Sequence, residues 1–119
     1  MRLVGVSLAL PMALAAPLAA AELVMVEEAG CVWCARWDAE IAPIYPQTEE
    51  SRLAPLRRIP LHGPHPADIV FDAPLRVTPT FVLVDEGEEV ARMEGYPGED
   101  FFWGLLGRML DELDTEDTP

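Results

Sequence analysis

Gly30-Cys31-Val32-Trp33-Cys34-Ala35-Arg36-Trp37-Asp38-Ala39-Glu40-Ile41-Ala42 holds both cysteines of this 119-residue chain. Its composition suits a helix that begins near Cys31, with a kink expected at Pro43 and an end or restart at Pro46. Two cysteines spaced C-x-x-C at a helix start can close a small disulfide ring. Unpaired backbone N–H groups and the positive end of the helix dipole point at the first sulfur. They favour thiolate over thiol, and the thiolate is the attacking species in disulfide exchange. Cys31 is therefore the expected nucleophile. Cys34, one turn inside, is the expected resolving thiol.

Working outward, Glu22-Leu23-Val24-Met25-Val26 is an apolar run of strand length, separated from the cysteines by a Glu27-Glu28-Ala29-Gly30 loop. Gln47 to Leu53 continues as polar helix. Leu56-Arg57-Arg58-Ile59-Pro60-Leu61 reads as a short strand, His62 to Pro66 as a loop, and Ala67 to Phe71 as one helical turn or two. Thr80 to Val84, β-branched and aromatic, turns at Asp85-Glu86-Gly87 and returns as Glu89 to Glu94, a β-hairpin. Gly98-Glu99-Asp100 opens a last helix with acids at the favourable end of its dipole. Phe102, Leu105, Leu106, Met109, Leu110 and Leu113 form its apolar stripe, which reads as core packing. Trp37, Phe101 and Trp103 are also expected mostly in the core. The order is β-α-β-(α)-β-β-α, an α/β fold with a parallel crossover extended by an antiparallel hairpin.

Residues 1–21 are set apart. Met1-Arg2 leads into an apolar run and then into Ala19-Ala20-Ala21, an A-x-A cleavage signature before Glu22. The run is nearly long enough to span a bilayer as an anchor. However, Pro11 and Pro17 interrupt it and no basic cluster follows. A cleaved signal peptide over 1–21 is expected, leaving residues 22–119 as one domain of 98 residues. Such a domain can bury a core of its own, and outside the cytoplasm disulfides persist.

Charge narrows the partners. The chain carries 21 acids against 8 basic residues, all arginine, for a net charge of −13. That balance argues against nucleic acid, whose binding depends on clustered Lys and Arg. From Asp85 onward there are 12 acids against Arg92 and Arg108. A basic or neutral docking face would be attracted and an anionic membrane disfavoured; a solvated face that aids solubility is the plainer account.

Other uses of the cysteine pair stay open. A zinc site needs two further ligands, and only His62 and His65 are available, at a spacing that matches known sites poorly. A static disulfide across so short a loop restricts the unfolded chain little. Arg36 and Arg76 could flank Cys31 and favour its thiolate, or be ordinary surface arginines.

The blocks GCVWCARWDAEIAPIYPQTEE (30–50) and TPTFVLVDEGEEVARMEGYPGEDFFWGLL (78–106) resemble the thioredoxin superfamily, and within it the small periplasmic thioredoxins of sulfur-oxidation operons, the SoxS type. The resemblance covers essentially the whole of 22–119. It implies a thioredoxin-like fold with a trimmed, four-stranded mixed sheet. It implies a thiol–disulfide oxidoreductase in which Cys31 attacks, Cys34 resolves and Pro79 is a cis-proline. The Thr78 backbone would pair with the substrate's extended segment, and Trp33 would shield Cys34 or join the docking surface. No cofactor is implied beyond the Cys31–Cys34 disulfide. The partners implied are an exported protein with a reactive cysteine or disulfide, such as a sulfur carrier, and a membrane thiol-electron carrier as reductant. The protein would act in the periplasm as a monomer. A non-enzymatic metal-binding or chaperone-like module on the same fold is the alternative.

One departure from the family pattern matters. Many thioredoxins place a buried Asp six residues before the first cysteine, where it assists proton transfer; this chain has Met25 there. Glu27 or Glu28 could assist Cys34 instead, or could simply be solvated loop carboxylates.

Overall fold

Strand β1 (Ala21–Glu27) is apolar at consecutive positions because it runs inside the sheet with both faces covered. The computed structural model describes residues 1–12 and 20–116. The cleavage signature expected in the sequence begins at Ala19, and it and the rest of 13–19 lie outside the described residues. Residues 1–12 are exposed and carry no regular secondary structure. Ala21 is already the first residue of β1, opposite Asp85, and the Ala20 carbonyl accepts the Glu86 amide at 3.0 Å.

Helix α1 (Val32–Glu40) follows, then a 3-10 turn (Tyr45–Gln47), a short helix α2 (Glu49–Leu53) and strand β2 (Leu56–Pro60). The expected kinked helix through Pro43 does not form. Helix α1 ends at Glu40, and the Ile41 and Ala42 amides both turn back to the Trp37 carbonyl at 2.8 and 3.2 Å. Pro43 has no amide to continue the ladder, so it sits in the connection. Helix α2 starts at Thr48, whose hydroxyl caps the Ser51 amide at 3.2 Å.

Strands β3 (Thr80–Asp85) and β4 (Glu88–Glu94) make the hairpin, and helix α3 (Glu99–Glu116) follows. The sheet order is β2-β1-β3-β4, with β1 and β2 parallel and the other pairs antiparallel. This is the expected four-stranded mixed sheet. The hairpin turn places Glu86 at φ 50° and Gly87 at φ 81°, the mirror-image turn that matches strand twist. A side chain at Gly87 would also meet the Asp68 carbonyl at 2.7 Å. Glycine is required there twice over.

Alternation along β1 and β3 sorts the core into two halves. Leu23, Met25, Phe81 and Leu83 face Trp37, Ile41, Tyr45, Phe102, Leu106 and Leu110 of the helical layer. The aromatic rings of Trp37, Phe81 and Phe102 meet there at centroid distances of 5.1 to 5.8 Å. Val24, Val26, Val82 and Val84 point the other way, onto Ile59, Ile69, Leu61, Phe71 and Leu75. That second face is covered by the connection from Leu61 to Pro79. Helical structure expected over Ala67–Phe71 is replaced by a turn and a parallel bridge from Val70 to Glu88. Among the described residues, no helix is long and apolar enough to cross a membrane.

A long irregular connection needs anchors for its backbone polar groups. Val70 exchanges hydrogen bonds with the hairpin at 2.7 and 3.1 Å. Arg57 forks onto both Asp68 oxygens at 2.8 and 3.1 Å. Arg92 of β4 donates to the Ala73 and Pro74 carbonyls at 2.9 and 3.1 Å while paired with Glu89 at 2.6 Å. The Arg92 and Glu89 side chains retain only 14% and 6% exposure. Truncation would orphan a sheltered carboxylate and two carbonyls, so Arg92→Ala is expected to lower stability by about 3 kcal/mol in urea unfolding. A loss below about 1 kcal/mol, the range of surface pairs, would show that Arg92 does not clamp the connection.

Candidate active site

The site is built on the turn that carries the chain from β1 into α1. Gly30 takes φ 78°, conformational space that side chains avoid, and delivers Cys31 to the helix start. Cys31 is the N-cap: its backbone is extended (φ −76°, ψ 106°), and its Sγ accepts the Cys34 amide at 3.1 Å. The sulfur thus occupies the place that Ser or Asp oxygen takes in ordinary caps. Cys31 and Cys34 are joined in a disulfide with their Cα atoms 5.2 Å apart. Cys34 is buried at 4% exposure, whereas Cys31 is half-buried. The helix-start placement expected from C-x-x-C is what the structure shows.

The residues between and beside the cysteines are exposed and apolar. Val32 is 75% and Trp33 52% exposed. The Arg36 guanidinium lies over the Trp33 ring at 5.6 Å and donates to Glu40 at 2.7 Å. Its charge is therefore engaged by a carboxylate and a ring rather than free to face Cys31. Arg76 is exposed in the connection before Thr78.

The Thr78–Pro79 peptide bond is cis, as expected, and Pro79 is buried immediately before β3. Glu28 ties this loop to the cysteine turn. Its carbonyl accepts the Cys31 amide at 3.3 Å, and its carboxylate accepts the Thr78 hydroxyl at 2.8 Å. His62 reaches the other Glu28 oxygen at 3.2 Å. His65 turns to the Leu61 carbonyl at 3.0 Å and stands edge-on to Phe71. The two histidines therefore do not converge with the cysteines. Among the described residues no group of three His, Cys, Asp or Glu side chains is placed to hold a metal ion.

An open depression of about 710 Å³ lies behind the disulfide, lined by Cys31, Cys34, Glu27, Glu28, Asp38 and Arg58 among others. Arg58 of β2 lies opposite Met25 in the parallel register, pairs with Glu27 at 2.7 Å and Asp38 at 2.8 Å, and touches Met25 Sδ at 3.6 Å. Sequence reasoning missed both Arg58 and Asp38. The available signals were Asp38 at i+4 from Cys34, on the same helix face, and two arginines in an otherwise apolar strand.

Phe101, expected in the core, is 70% exposed on the first turn of α3, while Trp103 stacks on Tyr45 at 6.2 Å. The apolar stripe starts at Phe102, and Phe101 falls one residue off it. Phe101 instead lines a shallow depression with Arg36, Glu40, Glu99 and Asp100.

A half-exposed cysteine capping a helix, bonded to a buried one on a four-stranded mixed sheet and followed by a cis-proline loop, defines a thiol–disulfide oxidoreductase of thioredoxin-like fold. Known structures agree. The chain is 49% identical to the periplasmic thioredoxin SoxS from Paracoccus pantotrophus, solved in its reduced form, with a TM-score of 0.77 over 78% of this chain and 98% of that one. It belongs to the thioredoxin superfamily, with the SoxS-type thioredoxins. No family model matches the chain, and no curated protein sequence does.

Glu40 closes one side of this region by accepting the Tyr96 hydroxyl at 2.6 Å. That bond, with the Arg36 contact, holds the Glu40 carboxyl below the usual carboxylate range. Burial, together with the Glu40 bond, pushes the Tyr96 phenol up. The depressed carboxyl contributes stability above its unfolded value and loses it as pH falls through the folded one. The raised phenol contributes below its unfolded value and loses it as pH rises through the folded one. Tyr96→Phe is accordingly expected to raise the Glu40 midpoint in an NMR titration, with Arg36 preserving part of the depression. An unmoved midpoint would mean that the phenol does not stabilise the carboxylate.

Proposed function

We propose that this chain is a periplasmic thiol–disulfide reductase that keeps the reactive cysteine of an exported protein reduced, a sulfur-carrier protein being the favoured partner. The observation that carries this reading is the Cys31–Cys34 pair at the start of α1, with Cys31 half-exposed and Cys34 buried. Likeness to a periplasmic SoxS thioredoxin supports the compartment and the partner class. Residues 1–21 serve as a cleaved signal peptide, and 22–119 form the single working domain, acting as a monomer.

In this reading Cys31 attacks and Cys34 resolves. Cys31 is the accessible sulfur, and the Cys34 amide that donates to its Sγ favours its thiolate. Its attack on a partner disulfide makes a mixed disulfide and expels the other partner sulfur as thiolate. Cys34 then displaces the remaining partner sulfur, leaving Cys31–Cys34 oxidised. The partner gains two electrons and the cysteine pair loses two. A membrane thiol-electron carrier returns them, so no dissociable cofactor is required.

Trp33 and the Thr78-Pro79 loop receive the partner. Trp33 supplies an exposed apolar ring beside the cysteines. Pro79 directs Thr78 so that its backbone can pair with an extended substrate segment; proline, lacking an amide donor, fits the start of a strand. The net charge of −13 favours a neutral or basic docking face on the partner.

In the exporting cell, Cys34→Ala is expected to accumulate a mixed disulfide through Cys31, seen as a reductant-sensitive adduct by mass spectrometry. Cys31→Ser should form none. Capture of a protein whose reactive cysteine carries sulfur would support the partner assignment; absence of any adduct, with the variant folded and exported, would refute the reductase reading. In the same sample, Glu22 is the expected first residue.

A further inference from the structure

Cys34 poses a problem that the cysteine geometry alone does not solve. It is buried and half-surrounded by apolar side chains, where ionisation is disfavoured. To resolve a mixed disulfide it must nevertheless give up a proton. Four charged side chains line the depression that Cys34 also lines: Glu27 from β1, Glu28 from the following loop, Asp38 from α1 and Arg58 from β2. Their engagements differ. Glu28 is bonded through both oxygens, to Thr78 and to His62. Glu27 receives a directed hydrogen bond from Arg58 at 2.7 Å.

Asp38 differs in its place. Its Oδ1 is sealed from solvent and held by Arg58 Nη2 at 2.8 Å. Asp38 is four residues after Cys34 on α1, so the two share one helix face. Helical side chains lean towards the N-terminus, and the Asp38 carboxylate therefore leans towards the turn that holds Cys34. In the oxidised protein Cys34 has no proton to donate.

We propose that Asp38, held by Arg58, is the proton acceptor for Cys34 in the resolving step, an assignment that rests on the reductase reading above. The Cys34 thiol proton passes to the Asp38 carboxylate as the Cys34 sulfur bonds to Cys31. The Cys31–partner S–S bond breaks, and its electron pair leaves on the partner thiolate. Arg58 keeps the carboxylate in place and offsets the negative charge it would otherwise hold beside a forming thiolate. The proton later returns to Cys34 when the disulfide is reduced.

The test uses reduced full-length protein and a neutral probe, dipyridyl disulfide, followed by stopped-flow absorbance. The first equivalent of pyridinethione reports attack by Cys31, and the second reports resolution by Cys34. In the wild type the second phase is expected to be nearly flat from about pH 6 to 8, because a carboxylate rather than hydroxide takes the proton. Asp38→Asn should slow that phase about 100-fold at pH 6, within the range for a lost general base, and make it climb about tenfold per pH unit. The first phase should change little. Asp38→Glu should keep the flat profile. A second phase in Asp38→Asn with the wild-type rate and profile would overturn the assignment. So would equal slowing of both phases at every pH, which marks a structural defect. Absence of the first phase in the wild type would instead sink the reductase reading itself.

Discussion

The amides that open α1 have no partner within the helix, and one of them, on Cys34, is answered by sulfur. Much of the molecule serves to keep that arrangement in place. β1 must end where it does, Gly30 must take a positive φ, and Trp37 must anchor the helix against the sheet. Trp37 is fully buried against Phe81 and Phe102, and the Arg58 guanidinium lies 5.6 Å over its ring. The ring that fixes the helix thus also bears on the arginine behind the cysteines. Packing and the cysteine site share residues here.

The second constraint comes from the sheet's other face. Val24, Val26, Val82 and Val84 need cover, and the connection 61–79 supplies it without a helix. Its apolar contacts are few: Ile69, Phe71, Leu61 and Leu75. The remaining hold is polar, through Arg57, Arg92 and the Val70 bridge. This same connection delivers Thr78 and Pro79 to the cysteine turn. The loop proposed to receive the partner is therefore mounted on ion pairs and carbonyl bonds rather than on a thick apolar layer. Arg57 and Arg92 lie away from the cysteines, yet they bear on where Thr78 stands.

What was legible in the chain follows from which signals are local. C-x-x-C before a helical stretch, the Glu86-Gly87 turn between β-rich runs and the 3.6-residue stripe of α3 each depend on neighbours in sequence, and each was read correctly. The cis bond before Pro79 was legible only through family likeness, because proline alone does not choose cis. Three expectations failed for tertiary reasons. Helix α1 stops at Glu40, short of the kink expected at Pro43, and the chain turns there to bury Tyr45. Within Ala67 to Phe71, Val70 pairs with the hairpin in place of a helical ladder. Phe101 is aromatic but lies one position off the buried stripe, and the stripe decided its exposure. Asp38 and Arg58 went unread because their partnership spans a helix and a strand; nothing local marks an arginine in β2 as the neighbour of a residue one turn past Cys34.

Met25 makes that partnership intelligible. A carboxylate at this central position in β1 would have lain opposite Arg58 in the parallel register, with the helical layer sealing it. With methionine there, Arg58 meets a thioether at 3.6 Å and must find its counter-charges elsewhere. It finds them at the two edges of the depression, Glu27 on the strand and Asp38 on the helix. Both keep roughly a third or more of their side-chain surface exposed, 33% and 43%, so neither bears the desolvation cost of a fully buried charge. Moving the negative charge from beneath the helix to its flank preserves a carboxylate near Cys34 while leaving the β1 interior apolar. Carrying the acid on α1 also ties its position to the helix that holds Cys34.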